Sequence, residues 1–147
     1  MSTGGPGPAL SRNLVFLLKH AYHRMSEIGA QVLKPYGVDG REFGVMLALH
    51  GQEPASQQQV AQRMGVDRTT MVAILDALED KGLVARQPDP HDRRRNVVAL
   101  TEDGQSVLRK AVEAHDAAER EFLAPLGSRD AERLRAALQK IVLPPEG

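Results

Sequence analysis

Residues 56–101 read SQQQVAQRMGVDRTTMVAILDALEDKGLVARQPDPHDRRRNVVALT, and this stretch predicts two short helices followed by a β-hairpin. Ser56 can cap the first helix, because Gln59 three residues later completes a capping box. Gly65 ends that helix, since glycine adopts positive φ angles without strain, and Asp67 can cap the second helix. In the second helix, apolar residues recur at helical spacing and predict a buried stripe, namely Met71, Ile74, Leu75, Leu78 and Leu83.

The other face of the second helix predicts a surface that can enter a DNA groove. Its side chains are small or polar and include one arginine: Arg68, Thr69, Thr70, Val72, Ala73 and Asp76. A helix that presents such a face near its N-terminus suits the major groove. We therefore expect four of these residues to contact base edges, namely Arg68, Thr69, Thr70 and Ala73. One of the two threonines could equally well bond phosphates alone.

The hairpin predicts a basic wing beside this helix. Residues 83–87 and 96–100 are its strands, and Pro88–Asp89–Pro90 breaks the first strand before a charged tip at 91–95. From Lys81 to Arg95, five Lys or Arg against two Asp give a local formal charge of +3 in a chain whose formal net charge is zero. A directed basic patch of this kind favours phosphate binding, although charge runs are often solvated loops.

A preceding helix completes the lobe. Asp39 can cap a helix from Arg41 to Leu49, whose apolar side would pack on the other two helices to form a three-helix core. Residues 52–55 form a loop or a very short first strand. Helices and hairpin together indicate a winged helix-turn-helix at residues 39–101, in a chain that is mainly α with a small β-hairpin wing.

This combination resembles the MarR family of bacterial transcription regulators. The resemblance rests on runs that occur in the family's order: Asp67–Met71, Leu75–Val84, Asp89–Arg94 and Leu100–Gly104. The last two resemble the family's wing signature, Asp-Arg-Arg followed by a strand and Leu-Thr-x-x-Gly. The resemblance covers nearly the whole chain. It implies a homodimer that binds a pseudo-palindromic operator in double-stranded DNA, usually as a repressor.

The resemblance also implies roles for residues outside the second helix. By position, Arg94 resembles the arginine that the family's wing inserts into the minor groove, and Asp92 resembles the carboxylate that orients it. Neighbouring wing arginines would meet phosphates, and the start of the first motif helix can hold a phosphate or be a simple cap. The DNA-binding candidates are therefore Ser56, Gln57, Gln58, Arg68, Thr69, Thr70, Ala73, Asp92, Arg93, Arg94 and Arg95.

A small aromatic or phenolic effector is a further implication of the resemblance, bound between the dimer helices and the DNA lobe. Residues that could line such a cleft are His20, His23, Arg24, Tyr36 and Met46. The two histidines, one helical turn apart, could in principle hold a metal. No clear carboxylate joins them, and we expect neither a metal site nor a cofactor. We expect His91 and His115 to face solvent.

Three helices outside the lobe carry surplus apolar surface and are expected to form a dimerisation layer: residues 10–34, 102–123 and 128–143. Thr101 and Ser128 are the expected caps of the second and third. An intramolecular bundle is the alternative, disfavoured because the last helix is short. Residues 1–9 are expected to form a flexible tail, and residues 10–147 a single domain.

Composition excludes several classes of protein. The absence of cysteine excludes disulfides, thiolate metal sites and thiol redox switches. The longest apolar run, Leu14–Leu18, is too short to span a membrane and no signal peptide is evident, so we expect a cytoplasmic protein. No catalytic motif stands out, so an enzyme is the least favoured reading. A winged helix used for protein contact ranks second, and the basic wing argues against it.

Overall fold

Residues 4–145, which the computed structural model describes, form seven α-helices and a three-stranded antiparallel sheet, the predicted mainly α fold with a small wing. The helices α1 to α7 are Pro8–Ser11, Leu14–Leu33, Gly40–Leu49, Gln57–Met64, Arg68–Asp80, Glu102–Leu123 and Gly127–Val142. The strands β1 to β3 are Ala55–Ser56, Val84–Pro88 and Asn96–Leu100. Short 3-10 turns follow α2 and α6, at Lys34–Tyr36 and Ala124–Leu126.

Polar side chains at the helix starts fix the three helices of the lobe, as predicted. Ser56 Oγ accepts the Gln59 N–H at 3.1 Å and Gln59 Oε1 accepts the Ser56 N–H at 2.9 Å, which closes the capping box of α4. Asp67 Oδ1 accepts the Thr70 N–H at 2.7 Å at the start of α5. Gly65 ends α4 with a φ of 67°, in the left-handed region. These contacts set the turn between the two motif helices.

The sheet attaches the wing to this lobe in the order β1-β3-β2. Ala55 lies opposite Val98, so the very short first strand is present. The first strand ends at Pro88–Asp89–Pro90 as predicted, although Pro88 itself still belongs to β2 as its last residue and lies opposite Asn96. A proline is tolerated there because β2 is an edge strand and the ladder needs no further amide at its end.

The hydrophobic core lies between the three motif helices, the sheet and the start of α6. The predicted stripe of α5 is buried in it, together with Leu83. The largest fully buried side chains come from six different elements: Leu33, Val45, Met46, Val60, Met71, Leu75, Leu78, Val98 and Leu108. Phe43 is the one aromatic side chain buried with them among residues 4–145, so the core is mainly aliphatic and depends on close packing of branched side chains and methionine.

Glu42 is the only charged side chain buried among residues 4–145, with 5% of its surface exposed. Its Oε1 accepts the Asp39 N–H at 2.9 Å, while the Asp39 carboxylate accepts the Glu42 N–H, so the two close a capping box that the sequence analysis missed. Lys81 Nζ lies 2.7 Å from Glu42 Oε2 and donates to the carbonyl of Gly37 at 2.8 Å. Lys81 therefore joins the end of α5 to the start of α3.

The N-terminal helix differs from the prediction of one helix starting near residue 10. Pro8–Ser11 is a separate helical turn, and α2 begins only at Leu14, because Asn13 Oδ1 caps it by accepting the Phe16 N–H at 2.9 Å. The predicted tail at residues 1–9 thus overlaps α1, and residues 1–3 lie outside the described range. No helix between residues 4 and 145 combines the length and apolarity needed to cross a membrane.

The C-terminal helices carry one further correction. Thr101 caps α6 as predicted, since its Oγ1 accepts the Gly104 N–H at 2.9 Å. Ser128 does not cap α7, which begins at Gly127 and has no side-chain cap. The reason is the 3-10 turn around Pro125, which leads into the helix directly and leaves Ser128 inside its first turn.

The start of α6 packs tightly on the end of α5. Thr101 Oγ1 donates to the carbonyl of Gly82 at 2.6 Å, and the Thr101 N–H donates to the carbonyl of Leu83 at 3.1 Å. A Cβ atom at Gly104 would lie 2.0 Å from the Leu83 carbonyl oxygen. Only glycine therefore fits at this position, which explains in physical terms the glycine of the Leu-Thr-x-x-Gly run.

We predict that Gly104→Ala lowers the free energy of unfolding by about 1–3 kcal/mol or more, because the clash is with backbone rather than with a movable side chain. Urea denaturation followed by circular dichroism measures this. Gly40→Ala is the matched control, since Gly40 also lies at a helix start but a Cβ there meets no atom within 4 Å. Equal stability of the two variants would contradict the prediction.

Candidate nucleic-acid interface

The outer face of α5 is free for contact with a ligand. Arg68, Thr69 and Ala73 are exposed, and Thr70 is half-buried. The Thr70 N–H, and after it the Thr70 hydroxyl, hold the pKa of Asp67 below its usual range. The ionised form of Asp67 is therefore the one that the cap of α5 stabilises. Since Thr70 is occupied with this cap, Thr69 is the better placed of the two threonines for a contact with bases.

The wing tip is an ordered loop. The Asp89 N–H donates to the Arg95 carbonyl at 2.9 Å, and the Arg95 N–H donates to the Asp92 carbonyl at 3.0 Å. The expectation that Asp92 orients the guanidinium of Arg94 is not met. Instead, Asp92 Oδ1 accepts the backbone N–H of Arg94 at 3.1 Å, and Oδ2 lies 3.9 Å from Arg95 Nε. The two-residue spacing brings the Arg94 amide, rather than its side chain, to the carboxylate.

A cleft of about 650 Å³ lies between the start of α4, the start of α5 and the wing. Six of the eleven DNA-binding candidates line it: Ser56, Gln57, Gln58, Arg68, Arg94 and Arg95. Three others line a neighbouring depression on the side of α3: Thr69, Thr70 and Ala73. Asp92 and Arg93 line neither and are exposed at the wing tip. The fold thus joins residues that lie about 40 positions apart in sequence into one basic surface.

The basic patch is narrower than the sequence indicated. Two of its five cations are bound internally: Lys81 pairs with Glu42, and Arg86 pairs with Asp76 and Glu79. The cations that remain for phosphates are the three arginines of the wing tip, with Arg68 across the cleft. The electrostatic attraction is therefore concentrated at the wing tip and the start of α5.

Arg86 is a site residue that sequence reasoning missed. Its Nη2 lies 2.8 Å from Asp76 Oδ1 and its Nη1 lies 3.1 Å from Glu79 Oε1, both on α5. Its Nε donates to Gln57 Oε1 at 3.1 Å, at the start of α4. A signal was available, because Asp76 and Glu79 are three residues apart and share one face of a helix. Two neighbouring carboxylates on one face call for a cation.

A larger cleft, of about 950 Å³, lies between α2, α3, the turn before α5 and α6. Its walls are mainly apolar and include Tyr22, Met25, Leu33, Phe43 and Met64. The polar groups in its lining include Arg41, Asp67, Thr70 and His115. None of the five predicted effector residues lines it. Met46 is fully buried in the core, and His20, His23 and Arg24 are exposed elsewhere on α2. Helical spacing could not tell which face of α2 turns towards the cleft.

His115 was expected to face solvent, and this is wrong. It is half-buried against Phe43, with 4.9 Å between the ring centroids, and it borders the larger cleft. His115, Asp116 and Glu119 each have a potential metal-ligand atom within 4.8 Å of the others. Arg135 already pairs with Glu119, so ion pairing accounts for this cluster.

Comparison with known proteins points to one family. The family model described as the MarR family matches residues 36–95. The HTH-type transcriptional regulator PecS of Dickeya dadantii is 29% identical over 114 residues, which are 76% of this chain and 69% of PecS. A transcriptional regulator of the MarR family from Rhodococcus sp. RHA1 has a TM-score of 0.88 and 31% identity, over 96% of this chain and 100% of that chain.

A second similar protein, CouR, has been solved in two complexes, one with a small molecule and one with DNA. CouR of Rhodococcus jostii RHA1, bound to p-coumaroyl-CoA, has a TM-score of 0.83 and 32% identity, over 96% of this chain and 99% of CouR. The transcriptional repressor CouR bound to a 23-mer DNA duplex has a TM-score of 0.88 and 31% identity, over 95% of this chain and 99% of CouR. Similarity therefore extends over the whole described fold.

We predict that Arg94→Ala weakens binding to a specific DNA duplex by about 1–3 kcal/mol, because it removes a guanidinium from the basic cleft. Fluorescence anisotropy with a labelled duplex measures the change. Arg109→Ala is the control, since it removes the same charge from an exposed position on α6. An Arg94→Ala protein with the affinity of the control would remove Arg94 from the interface.

Proposed function

The chain belongs to the MarR family of transcriptional regulators, and we propose that it binds a pseudo-palindromic operator as a homodimer and represses transcription until a small aromatic ligand releases it. One observation carries the DNA-binding part of this proposal. The start of α4, the start of α5 and the wing tip converge on one basic cleft, although they are far apart in the sequence. CouR, which is 31% identical, has been solved as a repressor on a DNA duplex.

In this proposal α5 reads the major groove and the wing reaches the minor groove. The exposed face at the start of α5 offers Arg68 to guanine and a Thr69 methyl group to thymine. Arg94 suits the narrow minor groove, whose negative potential favours a guanidinium. Arg93 and Arg95 bind phosphates on either side and set the position of the lobe on the duplex.

Dimerisation is supported by the apolar surface outside the lobe. Val15 and Ile141 are 73% and 75% exposed in the single chain. Helix α7 buries none of its residues against the rest of the chain, although its spacing is amphipathic. A groove between α2, α6 and α7 is lined almost entirely by apolar side chains. Exposed apolar surface of this extent is typical of an interface between subunits.

The larger cleft is the proposed effector site. Its apolar walls suit an aromatic ring, and Arg41 and His115 can bind a carboxylate or another acidic group. CouR, at 32% identity, has been solved with p-coumaroyl-CoA, an aromatic acyl thioester. The cleft also reaches Asp67 and Thr70, the cap of the DNA-reading helix.

This position gives the effector a route to DNA binding. Two DNA-reading helices must lie about 34–36 Å apart to meet successive major grooves. A ligand that binds between α2 and the turn before α5 contacts both the dimerisation layer and the lobe. If it prefers a different spacing of the lobes, it lowers the population that fits the operator.

Selection of random duplexes by the purified protein, followed by sequencing, tests the DNA-binding proposal. We expect enrichment of an inverted repeat whose half-sites are centred about one helical turn apart. Light scattering on the same sample should give twice the 16.0 kDa chain mass. A folded dimer that enriches no sequence would favour a protein-contact role, and a monomer at micromolar concentration would refute the dimer.

Release from the enriched duplex by p-coumaroyl-CoA or simple aromatic acids tests the effector site. We expect Arg41→Met to need at least tenfold more ligand for release, because the acidic group loses its partner. Release is measured relative to the variant's own ligand-free affinity for the duplex, since Arg41 also borders the depression that Thr69, Thr70 and Ala73 line. Arg24→Met is the matched control, since Arg24 lies on α2 but does not line the cleft. A response that depends on Arg24 and not on Arg41 would place the effector elsewhere.

A further inference from the structure

We propose that Arg86 is a positioning residue that fixes the wing relative to the DNA-reading helix without itself touching DNA. The inference rests on the proposed function, because it explains how two separate DNA-contacting elements are held at a set distance. It concerns a side chain that the sequence analysis treated only as part of a basic run. Its contacts point instead towards the interior of the lobe.

Arg86 lies in the middle of β2, opposite Val98 of the central strand. Its guanidinium contacts Gln57 through Nε, Asp76 through Nη2 and Glu79 through Nη1, at 2.8 to 3.1 Å. These partners belong to both motif helices. In addition, the backbone N–H of Arg86 donates to Glu79 Oε2 at 3.3 Å. One residue of the wing is therefore held to α4 and α5 through both its side chain and its backbone.

Among residues 4–145, no other side chain of β2 or β3 forms a hydrogen bond or ion pair with α4 or α5. Arg86 is also shielded, with only 17% of its side chain exposed. The remaining polar contacts of the wing tip lie within its own loop, between Asp89 and Arg95. Loss of Arg86 would therefore leave the wing attached by the β1–β3 ladder and by its buried strand residues, with fewer contacts that fix its angle to α5.

The same contacts offset part of the negative charge on the DNA-facing side, because one guanidinium is shared between two carboxylates. Asp76 is 58% exposed and Glu79 is 44% exposed on α5. Free carboxylates there would repel the phosphates of a duplex bound by α5 and the wing. Because the charge of Arg86 is used on these carboxylates, Arg86 does not neutralise a phosphate. Its removal should therefore leave the number of phosphate contacts unchanged.

The arrangement requires arginine rather than any cation. Three partners lie around one planar group, each opposite a different nitrogen. A guanidinium offers donors in such a fixed fork, whereas a lysine offers a single ammonium at the end of a flexible stem. Arg86→Lys therefore keeps the charge but loses the geometry, which separates positioning from simple neutralisation.

The test compares Arg86→Lys with the wild-type protein in two measurements. Without DNA, we expect faster hydrogen exchange at β2 and β3 amides while the amides of α5 stay as protected as before. With the selected duplex, we expect affinity to fall about tenfold or more, with the slope of log affinity against log salt unchanged. Arg86→Met should have the same effects, more strongly. If the Arg86→Met protein does not fold, the Arg86→Lys measurements decide the test.

Arg93→Met is the matched comparison, because it removes an exposed wing cation that we assign to phosphate. It should lower the salt slope by about one and leave hydrogen exchange unchanged. Two results would overturn the proposal. One is an Arg86→Lys protein with wild-type affinity and wild-type hydrogen exchange at β2 and β3. The other is an Arg86→Met protein whose salt slope falls by about one while the β2 and β3 amides stay protected. If the wild type selected no duplex, the proposed function would fail, while hydrogen exchange would still decide whether Arg86 holds the wing.

Discussion

The ion pair between the buried carboxylate of Glu42 and the ammonium group of Lys81 is the interaction on which the geometry of the lobe depends. A carboxylate that is 5% exposed needs a partner, because an unpaired buried charge costs several kcal/mol. Lys81 supplies it at 2.7 Å and also binds the carbonyl of Gly37, in the turn that follows α2. Glu42 in turn closes the cap of α3 through the Asp39 amide. One ion pair therefore joins the turn after α2 and the start of α3 to the end of α5.

Helix α5 is fixed at both ends by contacts of this polar kind. At its start, Asp67 accepts the Thr70 amide hydrogen, and this hydrogen bond lowers the pKa of the carboxyl group. Beyond its end, Thr101 and Gly104 pack α6 against the backbone of Gly82 and Leu83, so closely that no side chain fits at Gly104. The buried stripe between these ends supplies most of the stabilisation, but apolar packing is not directional. The polar contacts decide the angle at which the helix presents its outer face.

Charge is divided between internal and external tasks. Lys81 and Arg86 are bound to carboxylates of the lobe, whereas the arginines of the wing tip stay exposed. A formally neutral chain can thus present a basic surface at the wing tip. The apolar surface is divided in the same way. The lobe buries its own core, while α2 and α7 leave apolar side chains exposed, and the larger cleft lies between α2 and the lobe.

The sequence by itself determined the features that depend on contacts within one helical turn. The caps at Ser56, Asp67 and Thr101 and the stripe of α5 follow from backbone geometry and spacing, and all are present. Only the tertiary structure decided which distant side chains meet. Glu42 and Lys81 are 39 residues apart, and Gln57 and Arg86 are 29 apart. Such pairs depend on the angles at which helices and strands pack. For the same reason the sequence could not show which side of α2 borders the larger cleft, and His20, His23 and Arg24 lie outside it, because periodicity defines a face but not the neighbour that covers it.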